Sequence, residues 1–192
     1  MDSKTKLSAW TMVLHWTVAA VMIVQLAIGF YMAGEVYGLY EFHKSTGVIV
    51  TFFVLWRIVW RIRNGWPDPL YQHLQTLALM VHWGLIGGTL LMPLSGMLYS
   101  GASGHGFGVL GWTIVPVQHS AENVVEVVPY SIFWMDFGYA VHSGLGYVLA
   151  GLITIHIAAA LKHHCLDRDH TLLRMLGRQV EKNSFLNKND AG

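Results

Sequence analysis

From Asn64 to Leu161 the chain contains no lysine or arginine. A water-soluble domain carries charge throughout its surface, so a stretch this long without cations has to be covered by something other than water. Hydropathy divides the chain accordingly. Four apolar runs stand out, at about Thr11–Met32, His43–Arg61, Leu77–Tyr99 and Phe137–Leu161. Each is long enough to cross a hydrocarbon core of roughly 30 Å as a helix. The whole chain is 54% hydrophobic and only 12% charged, which agrees with a membrane bundle and not with a soluble one.

The cations that remain set a direction. Lys4 and Lys6 precede the first run; Arg57, Arg61 and Arg63 close the second; Lys162, Arg168, Arg174 and Arg178 follow the fourth. The other two joins carry Glu35, Glu41, Glu122, Glu126 and Asp136, offset by Lys44. The positive-inside rule therefore predicts both termini in the cytoplasm and the acidic joins outside. No small-residue cleavage site follows the first run, which is expected to remain as a helix. Pro67 and Pro69 break the second join. The long join 100–136 is glycine-rich at its start and is expected to hold a short helix around Ala121–Val128. The predicted organisation is a four-helix transmembrane domain over 1–178 and a polar, disordered cytoplasmic tail over 179–192.

Ionisable groups inside a membrane are costly and usually functional. His142 and His156 lie fourteen residues apart in the fourth run. Fourteen helical residues fall about 40° short of whole turns, so both rings leave nearly the same face, roughly 21 Å apart along the axis. His15 enters the first run from the inner side and His43 enters the second from the outer side. Depth pairs His15 with His156 and His43 with His142. A lone membrane histidine is an ordinary interhelical hydrogen-bonding group, but four at two matched depths point to ligation.

Two histidines per depth are too few for zinc, which takes four ligands or three and a water. They suit haem iron, whose porphyrin supplies four ligands and leaves two axial positions for protein. No Cys-x-x-Cys-His motif is present, so the haem is non-covalent, and the single Cys165 excludes an internal disulfide and a cysteine-rich metal site. The fold expected is thus an all-α transmembrane four-helix bundle with two stacked b haems, the iron held by His15 and His156 on the inner side and by His43 and His142 on the outer. Gly29, fourteen residues after His15, is placed to leave room for the outer porphyrin, and Gly47, Gly144 and Gly146 neighbour the outer ligands. Arg57, fourteen after His43, falls at inner depth and can pair with a haem propionate; Lys44 can do so outside. His82, near the inner start of the third run, is a candidate quinone-site group. Net charge of +1 gives no footprint for nucleic acid.

Further along the chain a family pattern emerges. It comprises Leu14-His15-Trp16, Glu41-Phe42-His43-Lys44-Ser45-Thr46-Gly47, His82 with Pro93-Leu94-Ser95-Gly96, the His142/His156 pair, Ala158-Ala159-Ala160-Leu161-Lys162-His163-His164, and Asp169-His170-Thr171-Leu172-Leu173-Arg174-Met175. In these segments the chain resembles the bacterial cytochrome b561 family, related to hydrogenase-type cytochrome b, nearly as far as Arg178. The resemblance implies two non-covalent b haems and electron transfer linked to ubiquinone or menaquinone in the inner membrane, as in a respiratory chain. One type of member is similar to a superoxide oxidase, passing electrons from periplasmic superoxide to ubiquinone. The acidic outer joins repel an anion and fit a cationic or neutral periplasmic redox protein better, with 100–136 as its docking surface. Whether the chain is an electron carrier or a quinone-linked oxidoreductase stays open here. A haem or metal transporter is the reading from a different class; it lacks support from internal repeats.

Overall fold

A computed structural model of the chain describes residues 6–34, 38–65 and 75–178. The proline break at Pro67 and Pro69, the residue Glu35 and the expected tail 179–192 lie outside the described residues. Among the described residues four helices have the length and composition to cross a membrane: α1 (Ala9–Met32), α2 (Tyr40–Asn64), α3 (Gln75–Ala102) and α4 (Ile132–Cys165). Each contains the apolar run expected for it and extends beyond it at one or both ends. The 34 residues of α4 reach about 51 Å, well past a hydrocarbon core, so that helix projects from the bilayer.

Local chemistry starts and stops these helices. Ser8 caps α1, its hydroxyl accepting from Thr11 N at 3.2 Å. Ser131 caps α4 in the same way through Trp134 N. In α2, Glu41 lies in the first turn and Arg61 and Arg63 in the last, each sign at the end of the helix dipole that favours it. Pro93 sits inside α3, where it cannot donate to the Thr89 carbonyl one turn earlier.

α3 packs most extensively on α4, α2 lies against both α1 and α3, and α1 meets α4 only sparingly. The centre is a plug of aliphatic side chains: Val18, Met22 and Leu26 from α1, Val50 and Val54 from α2, and the fully buried Leu149 from α4. Close approach of α3 and α4 depends on glycine. A Cβ on Gly88 would lie 2.6 Å from Leu149 Cδ2, and one on Gly138 would lie 2.7 Å from Tyr99 N. Outward faces carry exposed apolar residues such as Val13, Phe52, Leu91 and Ile155, as a lipid-facing surface does.

Two small features were not expected. An antiparallel hairpin of β1 (Phe107–Val109) and β2 (Trp112–Val115) follows α3 and folds over the start of α2. Lys44 Nζ and Ser45 Oγ donate to the carbonyls of Gly106 and Gly108, at 3.3 and 3.2 Å, and hold it there. At the opposite end a one-turn helix, α5 (Thr171–Met175), returns against α1, with Trp16 Nε1 donating to Met175 O at 2.8 Å.

The helix expected around Ala121–Val128 does not form. That stretch makes turns and an isolated antiparallel bridge between His119 and Val127. Val124, Val125, Val127 and Val128 are β-branched and favour extended backbone. Asn123 Oδ1 accepts from Val125 N at 3.1 Å, a local bond that competes with helix.

Candidate haem sites

The bundle brings the four ligand candidates together in the expected pairs. His15 on α1 faces His156 on α4 with ring centroids 6.3 Å apart, and His43 on α2 faces His142 on α4 at 6.1 Å. Trans imidazoles on one metal, each bonded through nitrogen at about 2.0–2.1 Å, have centroids roughly 6 Å apart. Both pairs therefore have the separation that a shared iron requires. Among the described residues no group of three or more His, Cys, Asp or Glu is arranged to hold a metal ion. A facing pair of imidazoles fits a metal whose other positions are already filled, as porphyrin fills them.

At the hairpin end, His142 is oriented by α3. Its Nδ1 donates to Met92 O at 2.9 Å and lies 3.3 Å from Ser95 Oγ, which leaves Nε2 with the lone pair a metal takes. The ring rests against Gly96, where a Cβ would come within 2.8 Å of Cε1. Across from it, His43 Cε1 is 3.7 Å from where a Cβ of Gly29 would lie, so Gly29 does border this site as expected. Gly47 is next to Gln25 and the buried Gly146 is next to Met92. Gly144 has open space where a side chain would lie. The glycines that shape the hairpin end are Gly96 and Gly138. Lys44 is engaged by Glu41 at 2.5 Å as well as by the Gly106 carbonyl, so it stands as a tie between α2 and the hairpin.

At the other, basic end, Arg57 Nη2 lies 3.1 Å from His15 Nδ1. A guanidinium only donates, so in this arrangement Nδ1 accepts and the ring proton sits on Nε2. The expectation that Arg57 belongs to the depth of His15 holds, and the structure adds a direct contact. His82 on α3 also arrives here, its ring 5.3 Å from that of His156, and its Nδ1 donates to Ala78 O at 2.5 Å. Trp60 Nε1 donates to the buried Thr11 Oγ1 at 2.9 Å, and Trp10 packs on Trp56, closing α1 on α2 below the site. In the last turn of α4, Lys162 and His163 both contact Asp167 just beyond the helix. The Lys162 hydrogen bond, first among the causes, holds the Asp167 carboxyl below its usual range.

The chain that carries these two histidine pairs has counterparts among known proteins. The family model described as prokaryotic cytochrome b561 matches residues 6–178. The chain belongs to the prokaryotic cytochrome b561 family. Two curated relatives from Escherichia coli strain K12 agree with it. Cytochrome b561 homolog 2 is 32% identical over 173 residues, covering 85% of this chain and 87% of that protein. Cytochrome b561 homolog 1 is 28% identical over 145 residues, covering 72% and 75%. This cytochrome b561 family member is therefore an integral membrane electron-transfer protein of the b-haem type, built as a four-helix transmembrane bundle.

Sequence reasoning missed Gln25, a buried amide in α1 whose Nε2 donates to His43 O at 2.8 Å. A lone polar residue inside an apolar run was the available signal.

Proposed function

We propose that the chain binds two haems b and moves electrons across the inner membrane between a membrane quinone and a periplasmic redox protein. The observation that carries this is the pair of facing histidine couples, His15 with His156 and His43 with His142, at metal-sharing separation. Bound haem would supply a one-electron couple at each end; this chain's residues orient, bury and polarise it. The basic end faces the cytoplasm with both termini, because lysine and arginine gather there.

Ligation explains several residues. His142 presents Nε2 because Met92 O holds its Nδ1 proton. At His15 the Arg57 contact places the ring proton on Nε2, so ligation through Nε2 would require that contact to open, and the freed guanidinium would be available to a haem propionate. Lys44 holds the hairpin over the outer site and can share its charge with the outer propionates. His82, beside His156, is the group placed to exchange a proton with a quinone at the inner end. Quinone reduction takes two electrons and two protons, so a proton-handling side chain within reach of the inner haem is what the reaction requires. The exposed Glu122 and Glu126 lie on either side of the exposed Val124 and Val125 on the outer join, where a cationic redox protein would dock.

The reading is tested on purified, haem-replete protein. Two haems per chain, both reduced by ubiquinol or menaquinol, with haem reduction by quinol slowed at least tenfold in His82→Ala while both haems are retained, is the expected result. One haem per chain, or a rate indifferent to His82, contradicts it. A reporter fused after Gly192 should be active only if it functions in the cytoplasm.

A further inference from the structure

Two buried polar atoms at the hairpin end, Gln25 Oε1 and His43 Nδ1, have no hydrogen-bond partner. They belong to residues that are already joined, through Gln25 Nε2 and the His43 carbonyl. That bond fixes the orientation of the carboxamide, because only its NH2 can donate to a carbonyl. Oε1 is the atom left over, and it is an acceptor. Gln25 is 6% exposed and lies on an apolar helix, where a polar side chain is costly unless its groups are satisfied.

A histidine that ligates through Nε2 carries its proton on Nδ1 and needs an acceptor there. For His142 that acceptor is Met92 O. For His43 no backbone group supplies one, and the unpaired acceptor nearest in the bonding pattern is on Gln25. We propose that Gln25 is a positioning residue for His43, its Oε1 accepting the Nδ1–H directly or through one bound water. The inference rests on His43 being an axial ligand. Its consequence is electronic as well as steric. An acceptor at Nδ1 makes the imidazole a stronger donor to iron and favours the oxidised state. A neutral amide does this without placing a charge in the membrane.

The test is a spectroscopic redox titration with low-spin electron paramagnetic resonance on the purified two-haem protein. The hairpin-end haem is assigned as the component lost in His142→Ala. In Gln25→Leu the midpoint potential and resonance signal of that haem should shift, the potential upwards, while the other haem stays at its wild-type values. In Gln25→Glu, which restores and strengthens the acceptor, its potential should fall below wild type. Unchanged potential and signal in a Gln25→Leu protein that retains both haems would overturn the proposal. If Gln25→Leu loses the haem, Gln25→Glu decides: a potential at or above wild type overturns it. Failure of the underlying reading is distinct, since it would show as a wild-type protein with fewer than two haems or as His43→Ala retaining both.

Discussion

The two ends of the bundle place paired histidines in different electrostatic settings. At the hairpin end the groups bonded to the two histidines are neutral: the Met92 carbonyl and Ser95 hydroxyl at His142, and the Gln25 amide at the His43 carbonyl. Glycines press the helices together there, and a small hairpin covers the mouth. At the basic end a guanidinium touches His15 and a third imidazole, that of His82, meets His156 edge-on. A haem iron gains negative charge on reduction, so a nearby cation favours the reduced form. The comparison predicts that a haem held at the basic end has the higher potential of the two.

The largest effect that could break this comparison is steric. Gly96→Val adds atoms where even a Cβ lies 2.8 Å from the His142 ring. We expect the hairpin-end haem to be lost and the other retained, read as haem per chain. Loss of both, or of neither, would mean that the two ends are not independent sites.

Next in size is the cation. Arg57→Leu should lower the potential of the basic-end haem and leave the other alone. A charge about 6–10 Å away at an effective dielectric constant near 20 contributes roughly 1–3 kcal/mol, or about 40–130 mV for a one-electron couple. A redox titration in which both haems move equally would place Arg57 elsewhere in the account.

A smaller effect concerns the outer surface. Superoxide should reduce the protein well below the diffusion limit, because Glu122 and Glu126 repel it, and their joint change to Gln should speed the reaction roughly two- to threefold at low salt. Stopped-flow rates across a salt series decide. A near-diffusion-limited rate that falls with salt would make superoxide the natural donor instead of a cationic protein.

The smallest is structural. Trp16→Phe removes one exposed hydrogen bond to Met175 O, worth about 0.5–1.5 kcal/mol, and should loosen α5 without altering the hairpin-end haem. Protease sensitivity after Asp169 would rise, with the optical spectrum of that haem unchanged.

Much of this was legible in the chain because the membrane imposes simple rules. Apolar run length gave the helices, and fourteen-residue spacing gave the facing pairs at two depths. What stayed hidden depends on contacts between elements. The spacing put Arg57 at the depth of His15 but could not say that the two touch. Gly29 and Gly144 were both read as neighbouring the outer site; the structure puts Gly29 beside His43 and leaves open space at Gly144, a difference of helical rotation that shows only once the partners are placed. Gly88 and Gly138 allow the α3–α4 approach, yet look like any other glycines in an apolar run. The hairpin Phe107–Val115 escaped notice because three- and four-residue strands carry too little alternation to register. At Ala121–Val128 the length of the join suggested a short helix, but its four valines favour extended backbone, and no helix forms there.

The central claim is that the four histidines form two independent pairs. Its most direct test is haem stoichiometry and the reduced-minus-oxidised spectrum of four single variants. The account predicts that His43→Ala and His142→Ala lose one and the same haem, and that His15→Ala and His156→Ala lose the other. If His43→Ala and His142→Ala remove different haems, or if any of the four retains both, the pairing is wrong.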